Sequence, residues 1–212
     1  MLVQSPDPDA GHTSLPALDA RNATPSRPAL PARGRLVVVT PDEAAAVLSA
    51  APGDLDGTVA DLPGAPGLHA WWTVEPLGLG GVVHDGRTLL DVGAARMLRN
   101  RIRRQDLYRT GVSRLRRVLA GLQLDELALA PTWAAEVVLP KADEERLSAW
   151  MRERLLLTVL PDDGAADLLG PVAVRLGETA LASEAAAGAE ERFVAAAGAK
   201  PVRPVGEVFR RP

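Results

Sequence analysis

The chain has no cysteine among its 212 residues, which excludes disulfides, thiolate metal sites and a cysteine nucleophile and leaves no mark of redox compartment. Aromatic residues make up only 3%, and Tyr108 is the one tyrosine, so the stacking platforms that hold single-stranded nucleic acid are not supplied. No window approaches the run of about 20 apolar residues that a membrane-spanning helix needs. The N-terminus has neither a basic start nor an uninterrupted apolar stretch, so a cytoplasmic protein with no membrane partner is expected. A net charge of −3 argues against indiscriminate binding of nucleic acid by the whole surface, while leaving room for a focused anion site.

What the chain does have is arginine in one place. From Arg96 to Arg117 nine arginines face a single acid, Asp106, a local net charge of +8. Ahead of this stretch, residues 1–33 carry six prolines among Asp, Ser, Thr and Ala, a spacing that permits neither helix nor central strand and predicts a disordered tail. Arg35–Val39 is a β-branched run of strand length. Thr40-Pro-Asp-Glu43 then gives an N-cap, a proline at the first helical position and a capping-box glutamate, predicting a helix over about 41–51. Residues 52–66 read as a Gly- and Pro-containing connection. Residues 67–74 alternate as a strand, with His69, Trp71 and Thr73 on one face and Leu68, Ala70, Trp72 and Val74 on the other. Residues 78–86 turn the chain. Thr88 to Val92 forms a second, antiparallel strand with Leu89 and Asp91 on one face.

Two basic amphipathic helices follow, over about 95–105 and 113–121. The first carries Met97, Leu98 and Ile102 as apolar positions, with Leu107 just beyond. Residues 133–139 read as extended, 141–154 as a helix opened by Asp143, and 155–160 as a buried strand. Residues 163–197 read as helical, interrupted at Gly170-Pro171 and Gly177, and the segment from Pro201 as loose. The fold class expected is α/β (α+β): one domain over residues 34–200, with an N-terminal extension 34–64 and a core at 65–185.

A strand beginning Gly67-Leu-His69, a second ending Asp91-Val-Gly93, and Arg101 eight positions after that glycine inside a helix together resemble the GIY-YIG nuclease superfamily. Residues 144–155 also resemble a helix of its actinobacterial members. The resemblance implies a small antiparallel-containing sheet flanked by helices. It also implies that two tyrosines help activate water, that the helical arginine binds phosphate, and that a glutamate from a later helix holds a divalent metal. Here His69 and Asp91 stand at the tyrosine positions, Gly93 and Arg101 match, and the best register places Leu169 at the metal glutamate. Losing that carboxylate removes the ion that neutralises charge in phosphodiester cleavage.

A carboxylate beside an imidazole fixes its tautomer and raises its basicity, and a guanidinium can hold a developing anion. His69 as general base, Asp91 as its orienting partner or itself the base, and Arg101 as anion holder thus form the expected site, with no metal and no cofactor. Arg96, Arg99, Arg103 and Arg104 are the expected substrate- or anion-binding residues. The function expected is a non-nucleolytic enzyme doing elimination, cyclisation or group transfer on a small anionic substrate in specialised metabolism.

Other readings stay open. His69 and Asp91 also suit purely structural roles, Asp91 as an ion-pair partner of Arg99 or Arg101. Arg96, Arg99 and Arg103, with Arg114 and Arg117 of the next helix, would make a basic wall for a phosphate backbone, and a nucleic-acid-binding pseudonuclease would use Arg99, Arg101, Arg103 and Arg104. A surviving endonuclease and a supporting subunit with a protein partner complete the alternatives. Elsewhere, His12 and His84 read as solvated, the four tryptophans as core or interface anchors, and Glu144-Glu145 as acids favoured at a helix N-terminus. The G-x-G at Gly78 lies between antiparallel strands, where a nucleotide loop is not expected.

Overall fold

The computed structural model describes residues 39–201. The expected proline-rich tail with His12, all but the last residue of the Arg35–Val39 strand, and residues 202–212 of the C-terminal segment lie outside them. The described fold is mixed α/β, built on a four-stranded antiparallel sheet in the order β2-β3-β1-β6. β1 (Gly67–Thr73) is buried at all seven positions. β3 (Arg87–Ala95) and β6 (Leu155–Pro161) flank it, and β2 (Val83–His84) forms the outer edge.

A strand buried on both faces needs a core on each, and the alternation in β1 supplies them. Leu68, Ala70 and Trp72 pack with Leu89 against α1 (Pro41–Ser49) and α6 (Ala165–Leu176). The opposite face carries Trp71 with Leu90 and Leu157. It is covered by α2 (Leu55–Ala60), α4 (Arg114–Leu122), α5 (Lys141–Arg154) and α7 (Glu184–Ala196). On the first face Thr158 Oγ1 accepts the Trp72 indole N–H at 3.1 Å and donates to the Leu48 carbonyl at 2.7 Å, fastening α1 to the sheet. The expected capping box forms: the Glu43 amide donates to Thr40 Oγ1, and the Thr40 amide donates to Glu43 Oε2.

Several expectations are corrected. Leu89 and Asp91 do not share a face. The register slips between Trp71, opposite Asp91, and Trp72, opposite Leu89. This bulge at Leu90 turns Leu89 to the α1/α6 side and leaves Asp91 on the other. β3 runs on to Ala95, so the first basic helix starts late: α3 (Leu98–Asn100) is one turn, continued by a π-helical turn, Arg101–Asp106. Residues 52–66 include α2, capped by Asp54 through the Gly57 amide. Gly170-Pro171 does not break α6, whereas Gly177 ends it at φ 87°. His84 is half-buried, with Nε2 2.8 Å from the Leu176 carbonyl and its ring edge-on to Trp72, because β2 lies beside the end of α6. The 133–139 segment is a small hairpin of β4 (Thr132–Trp133) and β5 (Val137–Val138).

α4 and α7 meet closely, since a Cβ on Gly121 would lie 1.8 Å from the Ala189 carbonyl oxygen. Backbone on both sides leaves no flexible atom to yield. Gly121→Ala is therefore expected to destabilise the protein by about 3 kcal/mol, seen as a lower urea midpoint at unchanged slope; a midpoint equal to wild type would show that the helices can separate freely.

Candidate active site

Antiparallel pairing sets His69 opposite Gly93 and Trp71 opposite Asp91, all four on the face that looks toward the basic helices. Gly93 is required there, because a Cβ would lie 2.8 Å from His69 Cε1. His69 and Asp91 are thus diagonal neighbours, a spacing of about 7–8 Å between backbones. They make no hydrogen bond to each other, and the expected His69–Asp91 dyad does not form. Both ring nitrogens of His69 are buried and unpartnered, and its nearest carboxylate is Asp106, with Oδ2 4.0 Å from Nε2.

Asp106 is the residue that sequence reasoning passed over. In an α-helix residues five apart point about 140° away from each other, so Arg101 and Asp106 would diverge. The π turn, closed by the Leu107 amide on the Ile102 carbonyl at 3.0 Å, widens the helix. It brings the two onto one face, where Arg101 Nε donates to Asp106 Oδ2 at 3.1 Å. Such turns are rare and concentrate at functional sites. The other carboxylate oxygen accepts from Ser113 Oγ at 2.8 Å, and Ser113 also caps α4 by accepting from the Arg116 amide. Trp71 Nε1 is buried without a formed hydrogen bond but lies near enough to Asp106 to favour its charged form.

Four ionisable groups therefore converge from β1, β3 and the π turn. Burial, helped by the Arg101 guanidinium, depresses His69 to about 3, so the ring is neutral and weakly basic near neutrality. Asp91 is partly exposed, and burial and the negative charge of Asp106 raise it to about 6, against Arg101, the Val92 amide and Arg114. Burial also raises Asp106, against Arg101 and Ser113. Asp91 is thus a carboxylate poised to exchange a proton near physiological pH. Among the described residues no three His, Asp or Glu side chains converge as a metal cage would require. Leu169 packs on the α1/α6 side of the sheet, away from this cluster.

Comparison with models of known families, with curated proteins and with solved structures finds no match.

The arginines divide into two groups. Arg99 donates to the Leu62 carbonyl, and Arg103 grips the carbonyls of Val59 and Ala60 at the end of α2. Arg114 and Arg117 share Glu190 of α7, and buried Arg116 pairs with Glu144 at 2.5 Å. The expected continuous basic wall is thus largely spent on holding helices together. Arg96, Arg104 and Arg109 remain exposed without an ion-pair partner among the described residues. Two cavities, of about 190 and 720 Å3, are lined by residues other than His69, Asp91, Arg101 and Asp106.

The opposed shifts give a signed test. An unfolded chain protonates its histidine below about 6.5 while the folded His69 stays neutral to about 3, so this residue costs stability as pH falls. Asp91 acts in reverse: the folded state keeps its proton up to about 6, so its contribution shrinks as pH rises from 4 to 6. Relative to His69→Gln, the wild type is expected to lose about 1 kcal/mol per pH unit between pH 6 and 4, measured by urea denaturation. Parallel stability–pH curves for the two proteins would mean that His69 titrates normally.

Proposed function

We propose that this chain is a metal-independent acid–base enzyme acting on a small anionic substrate, with a repurposed GIY-YIG-like site, in the chemistry of specialised metabolites. The observation that carries this reading is the convergence of Asp91, Asp106, His69 and Arg101 on one face of the sheet. Asp91 is the proton acceptor rather than His69, because it is partly exposed and raised to about 6 whereas the ring is sealed and weakly basic. Abstraction of a substrate proton by the Asp91 carboxylate leaves a neutral acid, which relieves its repulsion with Asp106. Arg101, held by Asp106 and by Gln105 at 3.3 Å, keeps a fixed guanidinium for the anion that develops. Elimination, cyclisation and group transfer all need these two services.

The competing reading, a nucleic-acid-binding pseudonuclease, draws on arginines 96, 104 and 109, which have no ion-pair partner among the described residues. Nuclease activity and a supporting role in a complex draw on no further feature of the site.

A panel of phosphate- and carboxylate-bearing metabolites, screened by thermal shift, is expected to yield compounds that raise Tm in the wild type but not in Arg101→Gln. With a turned-over compound, Asp91→Asn should lower kcat by about 10²–10⁴-fold, and wild-type kcat/KM should rise with pH through about 6. Labelled duplex and single-stranded DNA should be neither cut nor tightly bound, with or without magnesium. Cleavage, or tight binding that weakens steeply with salt, would overturn the proposal.

A further inference from the structure

Arg114 is the first residue of α4, directly after the Ser113 cap whose hydroxyl donates to Asp106 Oδ1. Arg101 holds the other oxygen of the same carboxylate. Asp106 thus ties together the two points of the chain from which Arg101 and Arg114 extend, and both guanidinium charges act on Asp91. Neither is consumed by its partners. Arg101 gives Nε to Asp106 and Nη1 to Gln105, leaving Nη2 without a hydrogen-bond partner among the described residues. Arg114 gives only Nε, to Glu190 of α7 at 3.1 Å, and neither of its Nη atoms has a partner among the described residues. The two side chains are 31% and 47% exposed, so a dissolved ligand can reach them.

Glu190 holds the Arg114 fork without cancelling it. Its second oxygen accepts from Arg117 Nε at 2.6 Å, so one carboxylate is divided between two guanidinia. The charged groups about Asp91 are then Arg101 and Asp106 of the π turn, Arg114 and Arg117 of α4, and Glu190 of α7. His69 of β1 is buried and neutral. Three guanidinia meet three carboxylates while Asp91 is ionised, and the site is balanced. Once Asp91 carries a proton, one positive charge is left over.

We propose that Arg114 is a second anion-binding residue of this site, closing with Arg101 on an oxyanion of the substrate beside Asp91, so that the grip tightens as Asp91 takes the proton. This role rests on the acid–base reading and gives it a source of differential binding. An interaction that strengthens along the reaction lowers the barrier, whereas one equally strong beforehand does not. The substrate class narrows accordingly, to acids that lose a proton from an atom next to the oxyanion, because the base and the two guanidinia are neighbours.

Sulfate is the probe, since it stays a dianion between about pH 5 and 8 and offers Asp91 no proton. The full-length protein is titrated calorimetrically with sodium sulfate at constant ionic strength. Affinity is expected to fall about tenfold from pH 5 to 7, as Asp91 ionises around 6 and balances the site. In Asp91→Asn, binding should match or exceed that of the wild type at the acid end and no longer change over this range. Arg114→Gln should weaken acid-side binding by about fivefold or more, and Arg114→Lys by less, because it restores the charge without the fork. Arg192→Gln removes an exposed arginine elsewhere on α7 and should change nothing. Equal losses in Arg114→Gln and Arg192→Gln would overturn the clamp, as would an affinity indifferent to pH and to Asp91→Asn, or no sulfate binding on the acid side. Loss in Arg101→Gln but not in Arg114→Gln would strike Arg114 from the site and leave the acid–base reading standing. That reading falls separately, if Asp91→Asn turns over substrate at the wild-type rate.

Discussion

A buried carboxylate is tolerated only where every oxygen finds a donor, and Asp106 imposes that condition on two elements at once. Arg101 must reach it from the preceding turn, and Ser113 must reach it from the cap of α4. Since a regular helix would point Arg101 and Asp106 apart, satisfying the carboxylate requires the widened turn. That turn then fixes where the next basic helix starts and which way Arg101 projects into the site. The same carboxylate raises Asp91 by its charge and stands 4.0 Å from the otherwise unpartnered His69. Without Asp106 the other three groups would have no common reference point.

Periodic signals in the sequence carried most of the architecture. The alternation in residues 67–74 predicts the two faces of β1, the capping box predicts the start of α1, and the helix opened by Asp143 is α5. Where one residue breaks a period, sequence reasoning failed. The extra residue at Leu90 turned Leu89 to the other face, and the extra residue per turn in 101–106 hid the Arg101–Asp106 pair. The signal that could have found Asp106 was present: a lone acid inside nine arginines is a residue that something must hold.

The site was legible in part. Gly93 was singled out only by a resemblance; independently of it, the strand pairing gives this glycine a packing role, because a histidine ring lies where a Cβ would be. The partnership of His69 and Asp91 was misjudged, because strand pairing makes them diagonal rather than opposite. The arginine stretch was misjudged differently: charge counted along a sequence does not show what each guanidinium already holds. Carbonyls at the end of α2 and the carboxylates of Glu144 and Glu190 absorb five of the nine. Arg101 spends its Nε on Asp106.

The sheet divides its two duties by parity. Along β1 the even-numbered residues Leu68, Ala70 and Trp72 pack with aliphatic neighbours, while the odd-numbered His69 and Trp71 look toward the ionisable cluster. The odd-numbered side is no less structural, since Trp71 is fully buried in the larger core beneath α2, α4, α5 and α7, so a substitution there disturbs the cluster and the packing together. One strand thus ties the electrostatics of the cluster to the larger core, and neither can be altered without the other answering.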